Sequence, residues 1–276
     1  MGLNDMNKLT KFSVMATLLA ATFPSQAANQ WQDEHSAITF NRIESGCFEM
    51  GVDQTNPIIK GKKPVPPRPD ERPQHRVCLD QYWLGQYEVT NAQWNKVMGG
   101  TDAQASLAQH PATNITWQDA QNFIAKLNTH HQQQPTGYRF RLPTEAEWEF
   151  ACWAGAPQQI ISEHTEAQLA TLKTQAWFKE PRRNNATSRN VGELAPNTWG
   201  LYDMRGNVWE WTADTYLADG YTQHTHNNPQ ITQPQDRIVI RGGGYNSERF
   251  LARCGARNYG LPSDPLETVG FRIVRE

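Results

Sequence analysis

Nothing in this 276-residue sequence is apolar for long enough to remain in a membrane. A permanent spanning helix needs about 20 such residues, whereas the run FSVMATLLAATF near the start has 12. It follows Lys8 and Lys11 and closes on Ser25-Gln26-Ala27, the pattern of a signal peptide over residues 1–27 with cleavage after Ala27. No cysteine follows closely, which argues against a lipid-anchored form. The expected product is soluble, periplasmic or secreted, and not membrane-embedded. A long basic block is also missing and the net charge is −2, so nucleic acid is not an expected partner. No glycine-rich phosphate loop, nucleophile elbow or Ser-His-Asp pattern is visible. His224 and His226, two apart in the polar stretch QHTHNN, lack a third metal ligand and read as part of a solvated loop. Cysteine is scarce too. Four cysteines, an even number in an exported chain, favour disulfides over free thiols and allow three pairings.

What is present is aromatic. Ten tryptophans among 38% hydrophobic residues predict a core built from large rings rather than aliphatic helices. Regular structure reads as sparse. The stretches GCFEMGV (46–52), HRVCLDQYWLGQYEV (75–89) and RIVIRGG (237–243) have strand character. Between the first two, residues 53–74 hold six prolines and five Lys/Arg, which predicts a solvated loop. Thr90 with Gln93, Thr116 with Asp119 and Thr144 with Glu147 each place a hydroxyl at a helix N-cap and a reaching side chain three residues on. In the second helix Trp117, Ala120, Ile124 and Leu127 share a buried face, leaving Gln118, Asp119 and Lys126 in water. Gly155 is the expected stop of the third. Residues 156–198 turn polar and irregular apart from a weak amphipathic piece at 166–173, the mark of a functional loop or an insertion. No linker divides the chain.

The phrases GCFEMG, YEVTNAQW, ITWQDAQNF, YRFRLPTEAEWEFA, WGLYDMRGNVWEW, RGGGYN and GFRIV, in this order and spacing, resemble the sulfatase-modifying-factor family, which includes the formylglycine-generating enzymes. The resemblance runs from Phe40 to Val274. It implies a single α+β domain over residues 38–276, with C-type-lectin-like topology and little regular secondary structure. It also implies a structural calcium ion held by Asp203, Glu210 and the main-chain oxygens of Gly206 and Val208. Independently of the family, two inward carboxylates at 203 and 210 need a cation or a set of hydrogen bonds. A second family calcium site departs at Ala176-Trp177 and is not carried over. Arg241, Arg257 and Arg272 are expected to brace buried carboxylates such as Glu145, Glu147 or Glu149.

Formylglycine-generating enzymes use two cysteines after Arg-Gly-Gly-Ser to bind copper, and counted from Arg241 those positions fall here on Ser247 and Ala252. Gly244 stands in place of the serine. Without two thiolates a copper site is not expected. Cys47 and Cys78 flank the proline-rich segment, where a cross-link would close it, and that leaves Cys152 for Cys254; a free, reactive Cys254 and other pairings stay open. If catalysis survives, its candidate cleft is Tyr245, Asn246, Ser247 and Glu248, with Glu248 as general acid or base if burial raises its pKa. The resemblance implies an accessory, maturation or tailoring factor acting on a peptide-like substrate or exported protein partner, like the family member needed for pyoverdine siderophore maturation. The alternative is a non-catalytic, calcium- and disulfide-stabilised C-type-lectin-like binding module.

Overall fold

The computed structural model describes residues 29–53, 58–60, 63–100, 105–133, 137–155, 166–180 and 187–276. The expected signal peptide lies outside them. In chain order the strands are β1 (Gln30–Gln32), β2 (Thr39–Ile43), β3 (Gly46–Met50), β4 (Ile58–Lys60), β5 (Lys63–Val65), β6 (His75–Leu79), β7 (Tyr82–Gly85), β8 (Phe140–Arg141), β9 (Trp209–Thr215), β10 (Ile238–Arg241), β11 (Arg257–Gly260), β12 (Val269–Gly270) and β13 (Val274–Arg275). The helices are α1 (Asn91–Met98), α2 (Trp117–Gln132), α3 (Glu145–Trp153) and α4 (Glu166–Gln175). The architecture is the expected α+β domain with short, sparse elements.

A five-stranded sheet, in the order β1-β2-β7-β13-β8, threads the last strand between β7 and β8. A second sheet, β11-β10-β9-β12, is antiparallel except where β12 runs parallel to β9. Strands β3 and β6 form their own ladder and place Cys47 directly opposite Cys78.

Local chemistry starts the first three helices. Thr90, Thr116 and Thr144 each accept a hydrogen bond from the N–H three residues on, and Gln93, Asp119 and Glu147 each accept one from the cap N–H. Asp119 is therefore half-buried in its capping role rather than wet. Helix α3 ends at Trp153, two residues before the glycine expected to end it. Ala154 takes the left-handed C-cap position at φ 49° and bonds back to the Phe150 carbonyl, and Gly155 follows at φ 71°.

Rings fill one core cluster: Trp94 stacks on Phe123 at 5.5 Å, and Phe123 meets Phe271 edge-on at 5.4 Å. The second cluster gathers around α3, whose residues from Glu145 to Cys152 are all buried. The proline-rich segment departs from the solvated reading. It contains the β4–β5 hairpin and a 3-10 turn over Pro69–Glu71 whose two acidic residues are buried. Arginines draw them in: Arg253 Nη2 donates to Glu71 at 2.8 Å, and Arg257 Nη1 donates to the Asp70 carbonyl at 2.6 Å.

Candidate functional site

Strand β10 ends at Arg241 and the chain turns through Gly242 and Gly243, at φ 101° and 82°. A Cβ on Gly243 would sit 2.9 Å from the Leu251 carbonyl oxygen, so only glycine closes this turn. The turn delivers Tyr245 and Ser247 to the interior and leaves Asn246 and Glu248 exposed. The Ser247 hydroxyl accepts from the Gly244 N–H at 3.0 Å and from Trp209 Nε1 at 3.1 Å. Burial raises the Tyr245 pKa, with Glu267 adding to the effect. Glu248 is not placed as its candidate role required. Its side chain is 59% exposed and pairs with the exposed Lys179 at 3.2 Å, so it lacks the burial on which that role rested.

The two positions the resemblance reserves for thiols hold other chemistry. Ser247 presents a hydroxyl tied to an indole. Ala252 presents a methyl packed with Leu172, Ala176 and Phe178. Cys254 is bonded to Cys152, and Cys47 to Cys78. The donors do not fit a two-thiolate copper centre.

Beneath the loop lies a buried ionic network. Arg241 donates to Glu145, Glu149, the Tyr221 hydroxyl and the Cys254 carbonyl. Arg257 grips Glu145 bidentately at 2.6 and 2.8 Å. Burial pushes Glu145 up, but Arg257 and Arg241 outweigh it and hold its carboxyl below the usual range. Two assignments differ from the sequence reading. Glu147 is gripped by Arg141 at 2.6 Å through each oxygen, because it must also turn back to cap Thr144. Arg272 instead grips Glu210, at 2.7 Å through both oxygens.

That last pair sits in the expected calcium loop. Asp203 is left-handed at φ 57°, and a Cβ on Gly206 would fall 2.2 Å from the Trp177 carbonyl oxygen. Glu210 is committed to Arg272 and to Trp148 Nε1, the latter at 2.7 Å. Asp203 Oδ2 accepts from the Gly192 N–H at 2.7 Å, while Oδ1 is buried without a hydrogen-bond partner. Glu88, missed in the sequence, joins them with both oxygens buried and unpartnered. Burial, Asp203 and Glu210 push the Glu88 pKa well above the usual range, and burial first of all raises Asp203 to about 6. Three buried carboxylates thus face one buried guanidinium, that of Arg272. The imbalance and the hard oxygen donors fit a divalent cation such as calcium, with Glu88 and Asp203 supplying the unused oxygens. No three His, Cys, Asp or Glu side chains among the described residues form a ready-made cage, so main-chain oxygens such as those of Gly206 and Val208 would have to complete it. The only signal for Glu88 was an acidic residue ending a strand-like run just before the Thr90 cap.

His224 and His226 do not converge on one point. His226 faces the Cys78 sulfur, and His224 Nδ1 lies 3.0 Å from His75 Nε2. His75 Nδ1 is 3.0 Å from the Pro73 carbonyl, which can only accept, so the neutral pair is ordered with His224 donating to His75. Burial lowers the His224 pKa to about 4 from its ordinary 6.5. A lowered histidine penalises folding wherever the native state refuses a proton that the unfolded state accepts. Stability is therefore expected to fall as pH drops from about 6.5 to about 4, by at most about 3 kcal/mol from this group. Urea titrations across that window should show a flatter profile for His224→Gln.

A cleft of about 530 Å³ opens between Val52–Asp53 and Pro69–Gln74. Its wall at Val52 packs beside Gly255, the residue that follows the 241–254 loop, where a Cβ would meet Val52 at 2.7 Å.

The family model of the sulfatase-modifying factor enzyme 1-like domain matches residues 25–276. The formylglycine-generating enzyme of Bos taurus is 25% identical over 296 aligned residues, covering 85% of this chain and 74% of that protein. The inactive C-alpha-formylglycine-generating enzyme 2 of Mus musculus is 27% identical over 218 residues, covering 75% of this chain and 61% of that one. Among solved structures, PvdO from Pseudomonas aeruginosa superposes with a TM-score of 0.71 at 25% identity, covering 90% of this chain and 97% of that chain.

Proposed function

The chain belongs to the sulfatase-modifying factor enzyme 1-like family, and from that membership we propose that it is an exported maturation or tailoring factor for a peptide-like substrate. It works without formylglycine generation by a two-thiolate copper site. The observation that carries this reading is the 241–254 loop, which keeps an arginine-braced scaffold while Ser247, Ala252 and the bonded Cys254 leave no thiol pair. Similarity to PvdO along nearly the whole of both chains supports it. The neighbouring cleft of about 530 Å³ has the volume of an ordinary small-ligand pocket and room for a short peptide segment. Removing the protein from its source cell is expected to leave one exported peptide-like molecule in precursor form, seen by untargeted mass spectrometry. An unchanged profile would sink the proposal.

A binding module is the second reading, favoured by the open setting of Asn246 and Glu248 on the loop's surface. In that case the purified protein would retain a peptide whose mass it never alters.

Either role uses the cation structurally. Calcium at about a hundred times its dissociation constant is expected to add about 2.7 kcal/mol, a rise of roughly 5–10 °C in the unfolding midpoint. Chelator should reverse the rise, and Glu88→Gln with Asp203→Asn should abolish it. A midpoint indifferent to millimolar calcium would remove the ion from the scheme.

A further inference from the structure

The two disulfides sit in opposite surroundings. Cys152 and Cys254 are 5% and 2% exposed, inside the cluster around α3. Cys47 is exposed and Cys78 half-buried, on neighbouring strands 4.0 Å apart at Cα. Among the described residues an imidazole touches only the second pair: His226 Nε2 lies 3.3 Å from Cys78 Sγ. A disulfide sulfur is a weak acceptor with no proton of its own, so in this contact Nε2–H donates.

The placement of His226 is built into the backbone. The Cys78 N–H donates to the His226 carbonyl and the Asn228 N–H to the Cys78 carbonyl, both at 2.8 Å. Asn228 Nδ2 reaches Asp80 at 2.9 Å, and its Oδ1 accepts from the Asp80 N–H at 2.9 Å. The 226–228 segment is thus laced to β6 on both sides of Cys78, which holds the ring against one sulfur and leaves the other facing solvent.

We propose that Cys47–Cys78 is a thiol–disulfide exchange site, open to exported small thiols or cysteine-bearing peptides, with His226 as the group that receives the departing Cys78 thiolate. A thiolate attacks Cys47 Sγ, forming a mixed disulfide there, and the S–S electron pair leaves on Cys78. The His226 N–H hydrogen-bonds to that thiolate, which then takes its proton from solvent. Stabilising the leaving sulfur in this way speeds exchange and fixes its direction. A second thiolate then attacks the incoming group's sulfur, releasing a small disulfide and the Cys47 thiolate. Two thiols are oxidised, the protein disulfide is reduced to a dithiol, and the thiol protons end on Cys47 and Cys78. The β3–β6 ladder, paired from Gly46 with Leu79 to Met50 with His75, keeps the two thiols opposite each other for re-closure.

The test treats folded, oxidised protein with reduced glutathione, quenches by alkylation at intervals and locates adducts by mass spectrometry. Glutathione should appear on Cys47, with Cys152–Cys254 still closed when Cys47–Cys78 has opened. In His226→Ala, whose exposed side chain should leave the thermal unfolding midpoint nearly unchanged, opening should slow roughly tenfold. The proposal is overturned if the two disulfides open together, if the adduct forms on Cys78, or if His226→Ala opens at the original rate.

Discussion

Glu145→Ala is expected to destabilise the fold by about 3–5 kcal/mol, the usual consequence of removing one partner from a buried ion pair. Glu145 is fully buried and accepts from two guanidinium groups, Arg241 at 3.0 Å and Arg257 at 2.6 and 2.8 Å. Its loss would leave Glu149 as the carboxylate still paired with Arg241, and Arg257 holding only the carbonyls of Asp70 and Leu217. Two fully buried cations would then share the single carboxylate of Glu149. Urea denaturation measures the change, and Glu248→Ala is the control. The Glu248–Lys179 pair is 59% and 64% exposed, and such surface pairs contribute about 0–1 kcal/mol. A similar small loss for both variants would mean that the network under the 241–257 loop carries little of the stability.

The same contrast separates what the sequence could reveal from what it could not. Each capping box depends on residues three apart, so Thr90, Thr116 and Thr144 were legible without tertiary knowledge. The strands around Cys47 and Cys78 were legible for the same reason, through alternation, whereas the strand-like stretch at 237–243 turns already after Arg241. The burial of helix α3 was expected through its arginine-braced glutamates, and Glu145 and Glu149 do meet Arg241 about a hundred positions away, although no local pattern in the helix reveals which partner each takes. Asp70 and Glu71 were set in a solvated loop for the same reason, since their partners sit at 253 and 257. Glu88 was invisible because its setting is made by Asp203, Glu210 and Arg272 together. Glu248 erred the other way. Its neighbourhood in the chain suggested a site, but the turn that buries Ser247 sends the next residue outward.

Replacing Cys152 and Cys254 together with alanine is expected to cost about 5 kcal/mol, against about 4 kcal/mol for the Cys47 and Cys78 pair, from the closed-loop lengths alone. Those lengths follow from separations of 102 and 31 residues. Packing widens the gap, because the first pair lies within the core cluster, with Cys152 Sγ beside the Met204 carbonyl, and its loss leaves space there. The second lies on a ladder that remains hydrogen-bonded without it. The core bond also has a link to the ionic network that loop length ignores, since Arg241 Nη2 donates to the Cys254 carbonyl and to Glu149. Freeing Cys254 releases one of the acceptors that hold this guanidinium in place. Glu145→Ala and the Cys152/Cys254 replacement should therefore be non-additive, with a coupling of about 0.5–3 kcal/mol as for residues sharing one network. The surface pair shares no such partner and should add to Glu145→Ala within about 0.5 kcal/mol. Unfolding midpoints of the combined variants decide it. Equal additivity for both bonds would mean that the cross-link at Cys254 acts on chain entropy alone and plays no part in positioning Arg241.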